Sequence, residues 1–136
     1  MRWQLLALAA SVAGLGISIY LTAVHYAGVP LACPANGTIS CEAVLSSKFA
    51  VIAGTNLPTS AAGIVWFTVS MLLWTRPAGR IQLAWSAVGL VTVLFLVYIE
   101  IVQLGAICVW CSAAHVLVLL IFLISLPGAK GNRVRA

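Results

Sequence analysis

Charge is scarce in this sequence: only 7% of its 136 residues are charged, and just two of those are acidic. With 63% of residues hydrophobic and a mean hydropathy of +1.16, that scarcity excludes a water-soluble globular domain, whose surface needs far more charge. Long internal repeats, low-complexity tracts and flexible linkers are also missing. What is left is one compact helical domain, 1–136, with no separate soluble module.

The chain is filled by apolar runs at 3–27, 58–75, 81–104 and 107–126. A membrane-spanning helix needs about 20 mostly apolar residues to cross a hydrocarbon core of roughly 30 Å. The reading is therefore an all-α integral membrane protein, a four-transmembrane-helix bundle whose longest connection is 28–57. A cleaved signal peptide is the competing account of the first run. Its apolar stretch, however, continues through Ile17, Ile19, Tyr20 and Leu21 to Val24, past the 7 to 15 residues of a secretory core.

A net charge of +5 does not point to nucleic acid, because the cations follow topology. Arg2 precedes the first run, Arg76 and Arg80 bracket the turn between the second and third, and Lys130, Arg133 and Arg135 lie in the tail. The positive-inside rule makes these positions cytoplasmic, and an even number of spans puts both termini there. Loop 28–57 then lies outside, carrying only Lys48 and Glu42. The basic tail is expected to meet anionic membrane lipid as a secondary contact.

The same topology puts Cys33, Cys41, Cys108 and Cys111 on or near the outer face, in a compartment that tolerates disulfides. Cys108 and Cys111 form Cys-Val-Trp-Cys at the start of the fourth helix, just after Gly105. Unpaired amides at a helix N-terminus favour thiolate over thiol. Cys108 is accordingly the expected reactive sulfur, with Cys111 one turn deeper and facing a lipid-soluble partner. After Cys41, the apolar residues Val44, Leu45 and Phe49 share its helical stripe. This predicts a short amphipathic helix on the outer surface, with Ser40 as N-cap and Glu42 suited to the helix dipole. Such a helix could act as a lid or as a simple interfacial anchor.

Other cysteine chemistries fit less well. A c-type haem site needs histidine directly after Cys111, where Ser112 stands. Only one cysteine pair has zinc-ligand spacing, although Cys108, Cys111 and His115 could offer three ligands to a soft metal. Static structural disulfides are a further alternative. Glu100 and His25, near the outer ends of the third and first helices, are functional candidates by virtue of their depth. Both are close enough to the interface to snorkel instead. Of the tryptophans, only Trp110 is expected at the site; Trp3, Trp66, Trp74 and Trp85 read as anchors or packing.

Taken in order, several motifs resemble the vitamin K epoxide reductase family, in particular its bacterial quinone-linked branch. They are Gly16-Ile-Ser-Ile-Tyr-Leu, the loop pair Cys33 and Cys41, Val44 with Ser46-Ser-Lys-Phe-Ala50, then Gly54, Pro58, Ser60, Gly63, Tyr98 and the Cys108 to Cys111 motif. The resemblance implies a catalytic four-helix bundle around a quinone: ubiquinone, menaquinone or vitamin K. It implies that Cys33 exchanges with a partner protein, Cys41 with Cys108, and that Cys111 passes electrons to the quinone. Ser47 falls on a serine of the family's loop motif, and His115 stands where vertebrate members carry a tyrosine that hydrogen-bonds the quinone carbonyl. Leu45, Ser47, Trp110 and His115 are thus the expected quinone contacts, and no metal is expected.

Two departures stand out. The stretch Gly54 to Pro58 is longer than the family's usual Gly-x-Pro link, and the family's helix-two asparagine has no assigned counterpart here. No fused thioredoxin-like domain is expected after the fourth helix, and the expected partner is a separate thioredoxin-like, DsbA-type protein. The expected protein is a multi-pass thiol oxidoreductase of a bacterial plasma membrane that supports disulfide formation, a monomer being compatible with the sequence and its oligomeric state left open. The alternatives are a vitamin K quinone or epoxide reductase and a non-enzymatic metal-binding membrane protein.

Overall fold

A computed structural model describes residues 2–34 and 36–134, and side chains as far as Pro127. Helix α1 covers Arg2–Ala27, the short α2 Cys41–Leu45, α3 Thr59–Leu73, α4 Arg80–Tyr98 and α5 Val109–Val134. A π-helical turn, Ile99–Leu104, extends α4. Three helical segments are long and apolar enough to cross a membrane: Arg2–Ala27, Arg80–Leu104 and Val109–Pro127. The fourth apolar helix, α3, has 15 residues, about 22 Å at 1.5 Å per residue. It is shorter than the expected 58–75 because Trp74 and Thr75 turn into the connection to α4, with the Trp74 and Thr75 amides donating to the Ser70 and Leu72 carbonyls. Helix α5 runs past the expected end at Leu126 and carries Pro127 within it. The basic side chains expected in the tail, Lys130, Arg133 and Arg135, lie outside the described residues.

The bundle is apolar outside and small or polar within. Leu5, Val12, Val65, Val91, Leu94 and Val116 are all exposed, whereas Ser11, Ser18, Ser70, Gln82, Ser86 and Ser125 are buried. That inversion suits a lipid solvent, where small residues let helices approach and hydroxyls bond across the seams. Ser86 and Ser125 hydroxyls meet at 2.9 Å between α4 and α5, and Thr22 meets Ser60 at 2.8 Å between α1 and α3. The Trp85 indole donates to the Ser70 hydroxyl at 3.0 Å, joining α4 to α3. Gly14 and Gly89 are close-approach positions: a methyl added at either would collide with the rings of Phe67 and Trp66 respectively.

Two apolar clusters hold the bundle, one running from the Arg76–Arg80 turn up to the middle of the helices and the other at the far end. One gathers Ala7, Trp74, Ile121 and Ile124 with Ala78 of the Arg76–Arg80 turn. The other gathers Cys41, Val44, Ala106 and Cys108, with Cys33 and Cys111 packed against it. The described arginines and the cysteines thus occupy opposite ends.

Candidate active site

Three devices assemble the cysteine end. Gly105 takes the left-handed conformation, φ 59°, which glycine adopts without the penalty of a Cβ; it stops the π-helical turn and redirects the chain into α5. Residues 38–40 then pair with Ile107: the Ile107 amide donates to the Thr38 carbonyl at 2.9 Å, and the Ser40 amide to the Ile107 carbonyl at 3.1 Å. Finally, the Trp110 indole donates to the Ala32 carbonyl at 3.0 Å. Both ends of the loop segment carrying Cys33 and Cys41 are therefore tied to the segment carrying Cys108 and Cys111.

Cys33 and Cys41 form a disulfide with a Cα separation of 6.2 Å, while Cys108 and Cys111 are free thiols. Cys33 is half-buried at the rim. Cys41 and Cys108 are closed off, at 1% and 0% exposure, within one cluster. The Ser40 hydroxyl accepts the Ala43 amide at 3.3 Å as the N-cap of α2. That helix ends at Leu45, so Phe49 reaches the site from the following turn and not from a continuous stripe.

Cys108 stands just before α5 and serves as its cap. Its sulfur accepts the Cys111 amide at 3.3 Å, and its carbonyl accepts the Ser112 amide at 2.8 Å. The hydrogen bond from the Cys111 thiol, helped by the Cys111 and Trp110 amides, holds the Cys108 thiol below its ordinary range against burial and the nearby Glu100. In the fully reduced protein, thiolate absorbance from Cys108 should develop below the usual cysteine midpoint of about 8.5. Cys111→Ala should move that midpoint upward; an unchanged midpoint would contradict the capping account.

Beneath this assembly lies a largely apolar cavity of about 270 Å³. Cys111, Ala114, His115 and Val118 of α5 line it, at the i, i+3, i+4, i+7 spacing that puts residues on one helical face. The loop roofs it with Val44, Leu45, Ser47 and Phe49, and His25 of α1 also reaches the wall. The roof is pinned to α3: the Thr59 amide donates to the Ala50 carbonyl at 2.7 Å and its hydroxyl to the Phe49 carbonyl at 2.9 Å. Ser47 uses its proton on the Val44 carbonyl at 2.7 Å, so towards the cavity its hydroxyl can act as an acceptor.

Of the expected quinone contacts, His115, Ser47 and Leu45 line the cavity, but Trp110 does not. One residue short of Cys111, it is turned about 100° away around the helix and packs on Tyr20, ring centroids 5.1 Å apart. Trp66 of α3 takes the cavity wall instead. Snorkelling does not describe Glu100, which is 6% exposed, lines the cavity, and accepts the Cys108 amide at 3.4 Å through Oε2. Among the described residues, no group of three His, Cys, Asp or Glu side chains is placed to hold a metal ion.

A disulfide packed beside a dithiol, with one sulfur of the dithiol on the wall of an apolar cavity, is an arrangement in which thiol-disulfide exchange can take place. No curated protein sequence matches the chain. The profile of the Vitamin K epoxide reductase family matches residues 5–126. The chain therefore belongs to the vitamin K epoxide reductase family, and by that membership is an oxidoreductase.

Proposed function

We propose that the protein is a four-span oxidoreductase of a bacterial plasma membrane, of the family's quinone-linked branch, that oxidises a separate extracytoplasmic thioredoxin-like protein and reduces a membrane quinone. In this reading both termini are cytoplasmic, residues 1–136 form one membrane domain, α3 is the shortest span, and α2 lies at the outer surface. The partner's thiolate attacks the Cys33–Cys41 disulfide at the rim. The freed Cys41 sulfur then reduces the Cys108–Cys111 disulfide, and the resulting dithiol hands two electrons to the quinone.

The observation that carries this reading is the position of Cys111: it shares a wall with His115 in an apolar cavity, while its partner Cys108 is sealed against Cys41. One side of the cysteine pair meets the loop and the other meets the membrane-soluble substrate. The cavity can take the head of a quinone, with His115 in place to donate a hydrogen bond to a carbonyl oxygen. Anaerobic mixing of fully reduced protein with ubiquinone or menaquinone should consume one quinone for each of the two dithiols, because Cys33 and Cys41 are reoxidised through Cys108–Cys111. Loss of quinone absorbance with simultaneous loss of free thiols is the expected result. Thiols that persist in excess quinone would refute the function.

A further inference from the structure

The reaction proposed above, on which this inference rests, has one proton without an evident route. When Cys108 and Cys111 close into a disulfide, the two thiols together release two electrons and two protons. A quinone accepts both pairs, its carbonyl oxygens becoming hydroxyls. Cys111 lies on the cavity wall and can give its proton to a substrate there. Cys108 has 0% exposure and no place on that wall.

Glu100 spans the gap. Its Oε2 accepts the backbone amide of Cys108, and the residue lines the cavity together with Cys111 and His115. Among the described residues the Cys108 amide is its one side-chain hydrogen-bond partner, which leaves its second carboxylate oxygen free. A carboxyl group buried in an apolar wall with a single amide partner is costly, since burial penalises polar groups that are not fully paired. The backbone also gives up regular geometry here: Glu100 sits in the π-helical turn Ile99–Leu104, a rare form that tends to mark functional positions. The titratable groups around it are Cys108, Cys111 and His115 at the start of α5 and His25 of α1; the roof brings none to the wall.

We propose that Glu100 is the proton carrier of this site. It takes the proton of the Cys108 thiol as the sulfur–sulfur bond forms and delivers it to one quinone oxygen, while the proton of Cys111 goes to the other. Two electrons leave the sulfurs and two reach the ring, and the carboxylate ends each turnover as it began.

Glu100→Gln separates this role from a structural one, because the amide oxygen still accepts the Cys108 N–H but carries no transferable proton. The step to follow is oxidation of fully reduced protein by quinone in stopped flow, across pH and in deuterated water. Glu100→Gln should slow that step by about 100-fold, the lower end of general acid–base contributions, and flatten its pH profile. It should leave thermal stability and the quenching of tryptophan fluorescence by quinone unchanged. Glu100→Asp should retain a measurable part of the rate, and formate should rescue Glu100→Ala. Equal rates for wild type and Glu100→Gln would overturn the assignment of Glu100 alone, as would a rate loss matched by lost stability and lost quinone binding. A wild-type protein that leaves quinone untouched would instead overturn the function proposed above, and this proposal with it.

Discussion

Cys111→Ser will reduce quinone-dependent turnover to the uncatalysed background while leaving the folded protein nearly as stable as wild type. Serine matches cysteine closely in size, so packing of the cavity wall and the first turn of α5 is preserved, and a stability change within about 1 kcal/mol is expected. What is lost is chemistry, since a hydroxyl neither forms a disulfide with Cys108 nor serves as a thiolate electron donor. Cys108→Ser should be equally inactive, because its sulfur is the other half of that disulfide and shares a buried cluster with Cys41. The check is quinol formation and melting temperature on the same preparation. Turnover above a few per cent in either variant would show that electrons reach the quinone by another path.

The second large effect concerns the loop pair and depends on the electron donor. In the Cys33→Ser, Cys41→Ser variant, oxidation of a thioredoxin-like protein should fall to background, whereas oxidation of a small thiol such as dithiothreitol should persist. Cys33 at the rim is the sulfur a protein partner can reach, and Cys41 is the sulfur packed beside Cys108. A small thiol bypasses both if it can reach Cys108–Cys111 directly. Opening a loop with a sequence separation of 8 costs about 2–3 kcal/mol in the chain-entropy account. The Thr38 to Ser40 pairing with Ile107 and the Trp110 bond to Ala32 remain to hold the loop in place. If activity with dithiothreitol disappears too, the loop cysteines are part of the quinone-reducing step, and the shuttle role is wrong.

Much of this arrangement is legible in the sequence because it follows from simple periodicities. The face shared by Cys111 and His115 is a matter of four residues' spacing. The Ser40 cap and the turn at Gly105 rest on local backbone chemistry. What the sequence does not disclose depends on small rotations and on contacts distant in the chain. Trp110 sits inside the cysteine motif, yet its place on the helix turns it towards Tyr20 and the Ala32 carbonyl. Trp66, far from any cysteine in sequence, takes the wall because Gly89 leaves room for its ring. From its depth alone Glu100 reads equally as a functional residue and as one that snorkels to the interface. The π-helical turn that carries it inward has no signature in hydropathy, since every neighbour from Ile99 to Leu104 except Gln103 is apolar. The early end of α2 is similarly local: Ser46 closes the helix, its amide donating to the Glu42 carbonyl at 2.9 Å, before the stripe reaches Phe49.

The relay is tested most directly by counting thiols through one full cycle. The purified protein, with both pairs oxidised, is given a reduced thioredoxin-like partner and then quinone, and maleimide labelling with a mass readout follows each stage. The account predicts that all four cysteines become labelled after the partner is added and are protected again after quinone, and that Cys111→Ala blocks the return to protection. Cysteines that stay labelled in the presence of quinone, or that are protected again equally well in Cys111→Ala, would contradict it.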